Sequence, residues 1–297
     1  MSKQALAAIL ESSAQNPPPE NASPAIMRAW AEGITRHAPL APHVSVRRAS
    51  FGPYQGDLLV PDSGDPTRLI IYFHGGGFFL FSAHTYRVTT TQLARASGAT
   101  VFVPDYRLAP ECPAPAAHDD CFVAYQAALE QHFDIGRLAV SGDSAGGNLA
   151  LSTVLRARDA GLPLPTSLLL FSPWLDFAED GASYRAITDD PILPTPVLDG
   201  FKHAYLRDID RRSPTVTPLY ADLHGLPPVL IHVGGWERLR DDSVTLAGRL
   251  RDAHVDAQLA VFEDMCHGWQ LYAPMLEEGM RSIEAGAAFL KEHQGHR

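Results

Sequence analysis

Gly142-Asp143-Ser144-Ala145-Gly146-Gly147 decides the fold because of what stands on either side of it. Arg137-Leu138-Ala139-Val140 reads as a short buried strand leading in, and Asn148 to Leu155 reads as a helix leading out, ending at Gly161 with Pro163 beyond. A serine between glycines on a strand-to-helix turn fits the G-x-S-x-G nucleophile elbow, which lifts the hydroxyl clear of a sheet. The five letters alone arise by accident on the order of one time in ten in a chain of this length, so the flanking elements carry the reading. Such a turn strains the serine backbone and brings strand and helix together, so side chains at Gly142, Gly146 and Gly147 would clash.

Upstream, the apolar run Leu69-Ile70-Ile71-Tyr72-Phe73 delivers the chain into His74-Gly75-Gly76-Gly77. Without side chains there, main-chain N–H groups can approach an anion. The amides of Gly75 and Gly76, joined by Ala145 N–H at the start of the helix, are the candidate oxyanion donors. Together the two segments imply an acyl-transfer site.

A length of 297 residues with 45% apolar content supports one large α/β domain with a lid, since no low-complexity tract divides it. Strand-like runs at Val44–Arg48, Asp57–Val60, Thr100–Val103, Ser167–Phe171, Val229–Val233 and Gln258–Phe262 join the two already named. Helix-like patterns alternate with them at about Thr85–Ser97, Ala117–Gln131, Asn148–Ala160, Ser243–Ala253 and Glu277–Glu292. This alternation predicts a mostly parallel central sheet covered by helices on both faces. Two regions depart from it. Residues 1–40 are helix-like, and residues 177–214 carry apolar and aromatic residues but no strand signal, so both are assigned to a helical cap over the carboxyl end of the sheet. Residues 41–176 and 215–297 then make up the core.

A net charge of −10 with interspersed signs argues against a nucleic-acid partner. Cys112, Cys121 and Cys266 form neither a disulfide framework nor a zinc pattern, which favours a reducing compartment. The first ten residues carry too short an apolar run for a secretory signal, and no stretch approaches the roughly 18 apolar residues of a membrane span. The expectation is a soluble, cytoplasmic protein with no membrane span.

A serine hydroxyl needs a base, and the base needs a carboxylate to hold its tautomer. With the chain order serine, acid, histidine, the thirteen histidines narrow to His254, His267, His293 and His296. His254 falls at a helix end and the last two in the terminal tail, which leaves His267 in the loop after the final strand. Candidates for the acid are Glu237, Asp241, Asp242 and Asp264. Glu237 lies soonest after a strand end, where catalytic side chains of an open sheet belong. Asp241 or Asp242 fits better as the cap of the helix near Ser243, and both stay open as alternatives.

The chain resembles the hormone-sensitive-lipase-like (bacterial family IV) esterases of the α/β-hydrolase superfamily. The resemblance rests on His74-Gly75-Gly76-Gly77-Phe78, Asp105 to Glu111, Gly142 to Gly147, Ser172-Pro173-Trp174-Leu175-Asp176, Leu239-Arg240-Asp241-Asp242 and His267-Gly268-Trp269. In that family the acid precedes the Leu-Arg-Asp stretch by two positions, which places it on Glu237. Many relatives carry aspartate there and some carry glutamate. The resemblance implies a serine carboxylesterase acting on short- to medium-chain acyl esters through an acyl-enzyme, with no metal or organic cofactor, and it is compatible with a homodimer. Phe78, Phe79, Trp174, Tyr184, Leu198 and Phe201 are the expected lining of an apolar substrate pocket. His74, Asp105, Arg107, His118 and Asp143 are read as scaffold, and Cys266 as a packing residue beside His267. Alternatives are a non-catalytic receptor of the gibberellin-receptor type, or an amidase or peptidase using the same triad.

Overall fold

The computed structural model describes residues 2–295 other than 37, 132 and 133; His296 lies outside the described residues. Among these described residues, eight strands form one sheet: β1 (Val44–Phe51), β2 (Tyr54–Pro61), β3 (Asp65–Phe73), β4 (Ala99–Pro104), β5 (Leu138–Asp143), β6 (Leu168–Phe171), β7 (Val229–Gly234) and β8 (Ala257–Phe262). Their spatial order is β1-β2-β4-β3-β5-β6-β7-β8. β1 and β2 pair antiparallel, as do β2 and β4, and every other neighbour is parallel. This is the mostly parallel sheet expected from the alternation, in the α/β-hydrolase arrangement that the resemblance implies.

Among the described residues, nine α-helices accompany the sheet: α1 (Ser2–Ala14), α2 (Pro24–Thr35), α3 (Arg87–Ser97), α4 (Ala116–Glu130), α5 (Ala145–Asp159), α6 (Ser183–Ala186), α7 (Thr195–Leu206), α8 (Arg240–Asp252) and α9 (Glu277–His293). Among the described residues no helix is long and apolar enough to cross a membrane. Side chains of a strand alternate between faces, and two cores result. Leu69, Ile71, Phe73, Val140 and Leu170 pack with α4, α5 and α8, whereas Ile70, Tyr72, Ala139, Leu169 and Phe171 pack with α3 and α9. Strands buried on both faces read as unbroken apolar runs, which is why Leu69 to Phe73 was so legible.

Two helices differ in onset from the sequence reading. α5 begins at Ala145, directly after the serine, because Gly146 and Gly147 remain helical where the turn packs against β3. α8 begins at Arg240, ahead of the expected start near Ser243.

The order of strands matters for function. β3 is followed by β4 on one side, and β5 then lies on the other, so a crevice opens between the carboxyl ends of β3 and β5. Open α/β sheets bind ligands at such a reversal. The loop from His74 leaves β3 there, and Ser144 leaves β5. The close crossing depends on Gly146, where a β-carbon would run into the carbonyl oxygens of Phe73 and His74. Gly146→Ala is therefore expected to cost about 2 kcal/mol or more through overpacking against rigid backbone. Gly248→Ala, inside α8 with nothing within 4 Å, should instead be neutral or stabilising by up to about 1 kcal/mol. Denaturant unfolding of the two variants checks this, and equal midpoints would contradict the packing argument.

Candidate active site

Ser144 sits between β5 and α5 with φ 52° and ψ −122°, a left-handed backbone for a residue with a side chain. Hydrogen bonds hold it there. Its N–H donates to Phe171 O at 2.9 Å, and its carbonyl accepts Trp174 N–H at 2.9 Å and Asn148 N–H at 3.2 Å. Strain of this kind persists only where the surroundings over-determine it. The side chain is 6% exposed.

Asp143 fastens the glycine loop to this turn. One of its oxygens, Oδ1, accepts Tyr72 OH at 2.9 Å and Gly75 N–H at 3.0 Å, and Oδ2 accepts Tyr86 OH at 2.6 Å. Burial drives its pKa up to about 6 against the pull of these donors. The consequence corrects one sequence expectation: the Gly75 amide is committed to a carboxylate and does not face a substrate. Among the described residues, the N–H groups of Gly76, Gly77 and Ala145 have no protein acceptor. Gly77, which the sequence reading omitted, thus offers a free amide where Gly75 does not. Nothing in the letters separates one glycine of a triplet from the next; the carboxylate at the second position of another motif, Asp143, does.

His74 orients the same loop, as expected of a scaffold residue. Its Nδ1 lies 2.8 Å from Gly75 O, and its ring stacks on Tyr106 with centroids 4.3 Å apart. Burial lowers its pKa to about 4, so the ring is neutral at pH 7.

The acid and the imidazole meet. Glu237 follows β7, and its Oε2 is 2.5 Å from His267 Nδ1. Its Oε1 accepts Gly234 N–H at 2.5 Å and Ser172 Oγ–H at 2.6 Å. Glu237 is fully buried, His267 is 6% exposed, and the loops after β7 and β8 are stitched by Trp236 N–H to Met265 O at 3.0 Å. Since an ionised carboxylate only accepts, His267 carries its proton on Nδ1 and leaves Nε2 as a base. Burial opposes charge on the ring, but the hydrogen bond and charge of Glu237, followed by the charges of Asp190 and Asp143, raise its pKa above the usual 6.5. Among the described residues, neither Ser144 Oγ nor His267 Nε2 has a hydrogen-bond partner.

The other acid candidates are occupied elsewhere. Asp242 Oδ2 accepts the N–H of Leu175 at 2.8 Å and of Asp176 at 2.9 Å, with Tyr184 OH at 3.0 Å, and Asp241 Oδ2 accepts Ser183 N–H at 2.9 Å. Both lie in the first turn of α8, whose cap position is Leu239. They pin the segment after β6 and do not cap the helix, which corrects the reading near Ser243. Asp264 is half exposed and pairs with Lys3 at 2.7 Å.

Four of the six expected pocket residues are core. Phe78 stacks on Tyr205 with centroids 3.9 Å apart and is fully buried, Trp174 packs edge-on to Phe177, and Leu198 joins the same cluster. Tyr184 is spent on Asp242 and on Asp176 O. Apolar letters next to a site do not reveal which side they face. Phe79 and Phe201 stay partly open, 6.1 Å apart, and the Phe201 ring lies where a side chain on Gly77 would be. Two cavities have other linings: one of about 370 Å³ beside His74 and Tyr106, and one of about 640 Å³ between α1 and Trp236.

The remaining scaffold residues do as expected. Asp105 pairs with Arg48 at 2.5 Å and Arg107 with Asp120 at 2.6 Å, and His118 bonds Tyr205 OH at 2.6 Å and Asn148 Oδ1 at 3.0 Å. Cys266 is buried with its thiol pushed up to about 12 by burial first and then by the Glu237 and Asp190 charges, so it is an inert packing group. Among the described residues no cluster of His, Cys, Asp or Glu could hold a metal ion.

Residues 70–271 match a family model described as the alpha/beta hydrolase fold. The chain is 40% identical over 229 residues to an acetyl-hydrolase of Streptomyces hygroscopicus, covering 77% of each. It is 34% identical over 283 residues to an esterase of Acinetobacter venetianus, covering 95% of this chain and 93% of that one. A solved esterase from the bacterial hormone-sensitive lipase family superposes with a TM-score of 0.94 at 34% identity, covering 98% of this chain and 99% of that one.

The electrostatics of the imidazole can be measured without substrate. In an NMR pH titration, His267 should titrate above 6.5, and Glu237→Gln should lower its midpoint. An unchanged midpoint in the variant would contradict the assigned contact.

Proposed function

The chain belongs to the hormone-sensitive-lipase-like esterases of the α/β-hydrolase fold family, and we propose that it hydrolyses short- to medium-chain acyl esters through Ser144, His267 and Glu237. The observation that carries this reading is the 2.5 Å contact between Glu237 and His267, which leaves Nε2 as a base at the end of the sheet where Ser144 emerges.

Ser144 Oγ attacks the ester carbonyl while His267 Nε2 takes its proton. The N–H groups of Gly76, Gly77 and Ala145 receive the oxyanion, a task for which each preorganised donor contributes about 2.7–4 kcal/mol. His267 returns the proton to the departing alcohol, leaving an acyl-serine. Water then attacks the acyl carbon, giving its proton to His267, and collapse returns the proton to Ser144 and frees the acid. Glu237 orients the ring and offsets its positive charge. Among the described residues Ser144 Oγ and His267 Nε2 share no hydrogen bond, and in free enzymes such catalytic bonds often form fully only on substrate.

In this reading residues 1–40 and 177–214 form a cap. Arg28 of α2 donates to Phe79 O at 3.0 Å and Phe201 of α7 packs on Gly77, so both segments reach the glycine loop. The partly open Phe79 and Phe201 rings suit a small apolar acyl or alcohol group better than a long chain. Three free cysteines agree with a cytoplasmic setting.

A fluorophosphonate should label Ser144 in the wild type, and p-nitrophenyl butyrate hydrolysis should fall by about 10³-fold or more in Ser144→Ala. Absence of both label and hydrolysis in folded wild type would favour a binding role without catalysis.

A further inference from the structure

Asp190 lies in the segment between α6 and α7, and its carboxylate is buried at 5% exposure. Oδ1 accepts the N–H groups of Ile192 and Leu193, each at 2.9 Å, and Oδ2 accepts Arg238 N–H at 2.9 Å. Arg238 is the next residue after Glu237, so a carboxylate from the proposed cap holds the peptide that carries the acid. The Arg238 guanidinium turns away to Tyr184 O at 2.8 Å, and among the described residues no Lys or Arg forms an ion pair with Asp190. A buried charge without a partner is costly. A neutral Asn could also cap the Ile192 and Leu193 amides through its side-chain oxygen, so the turn alone does not require an aspartate.

We propose that Asp190 is a positioning residue for the Glu237–His267 pair: it fixes the Glu237–Arg238 peptide from the cap and places a second negative charge behind the imidazolium formed during turnover. This rests on the reading of His267 as the base.

The surroundings of the ring agree. The largest charge effects on His267 are those of Glu237, Asp190 and Asp143, from the loop after β7, the insertion and the elbow, and these are negative. Its neighbour Cys266 is a neutral thiol on which Asp190 also acts. Removing the Asp190 charge therefore makes protonation of His267 harder, which lowers its pKa and extends activity to lower pH, while the transition state loses part of its compensation.

The test is the pH profile of kcat/KM and kcat for p-nitrophenyl butyrate in wild type, Asp190→Asn, Asp190→Ser and Asp190→Glu, with exposed Asp189→Asn as the control. In the neutral variants the acid limb should move down by about half a unit or more, and kcat should fall several-fold with KM little changed. The limb should stay in place in Asp190→Glu and Asp189→Asn. A limb that does not move in either neutral variant, or complete loss of activity in both, overturns the proposal. Limb position is independent of the fraction of active protein, so partial unfolding does not mask it. Fluorophosphonate labelling separates the two claims: no label on the wild type sinks the serine-hydrolase reading, whereas labelled variants with an unmoved limb sink only the role of Asp190.

Discussion

Where α5 crosses the end of β3, the backbone leaves no space for a β-carbon at Gly146, and the rest of the site is arranged around that contact. The closeness lets Asp143, the last residue of β5, reach the loop leaving β3 and take Gly75 N–H, Tyr72 OH and Tyr86 OH on one carboxylate. The loop can then present the next two amides beside the N-terminus of α5. A helix start that places free N–H groups and a partial positive charge at one spot is a natural anion site, and in the proposed function the glycine loop adds donors to it. The hydroxyl of Ser144 is held between the two by a backbone that it would not adopt alone.

The second half of the site is built by stitching loops. Ser172 follows β6 and donates to Glu237, Trp174 N–H donates to Ser144 O, and the loops after β7 and β8 share hydrogen bonds. The parallel strands β5, β7 and β8, with β6 between the first two, thus deliver Ser144, Glu237 and His267 to the same edge of the sheet, and the linking groups fix their spacing. The environment of the ring is anionic, which raises its pKa despite burial. By contrast His74, His118 and His232 are buried with no comparable negative field and are pushed down to about 4, first by desolvation. Burial alone would make His267 a weak base; its carboxylate neighbours reverse that.

Much of this was legible from the letters, for a physical reason. Strands buried on both faces write themselves as apolar runs, the elbow needs glycines at set offsets, and the chain order of the acid and base follows from adjacent strands. What was not legible depends on which way a group turns. Gly75 and Gly77 differ only in the partner each amide finds, and Phe78 is fully buried on Tyr205 whereas its neighbour Phe79 stays partly open near Phe201. Asp241 and Asp242 had the spacing of a helix cap but are drawn to the main chain and hydroxyls of residues 175–184. Ser172 stood in a quoted stretch, directly after a strand end, and that position was the available sign of its bond to Glu237. Asp190 had no such sign, since its partner Arg238 N–H lies 48 residues away.

The central claim is that two glycine amides from the β3 loop and one from the start of α5 form a single anion site above Ser144, with Asp143 as the fastener. A crystal structure of the protein with a phosphonate bonded to Ser144 tests it most directly. The account requires the phosphoryl oxygen about 2.7–3.1 Å from the nitrogens of Gly76, Gly77 and Ala145, with Gly75 N–H still on Asp143. An oxygen held instead by Gly75, with the Asp143 contact broken, would contradict it.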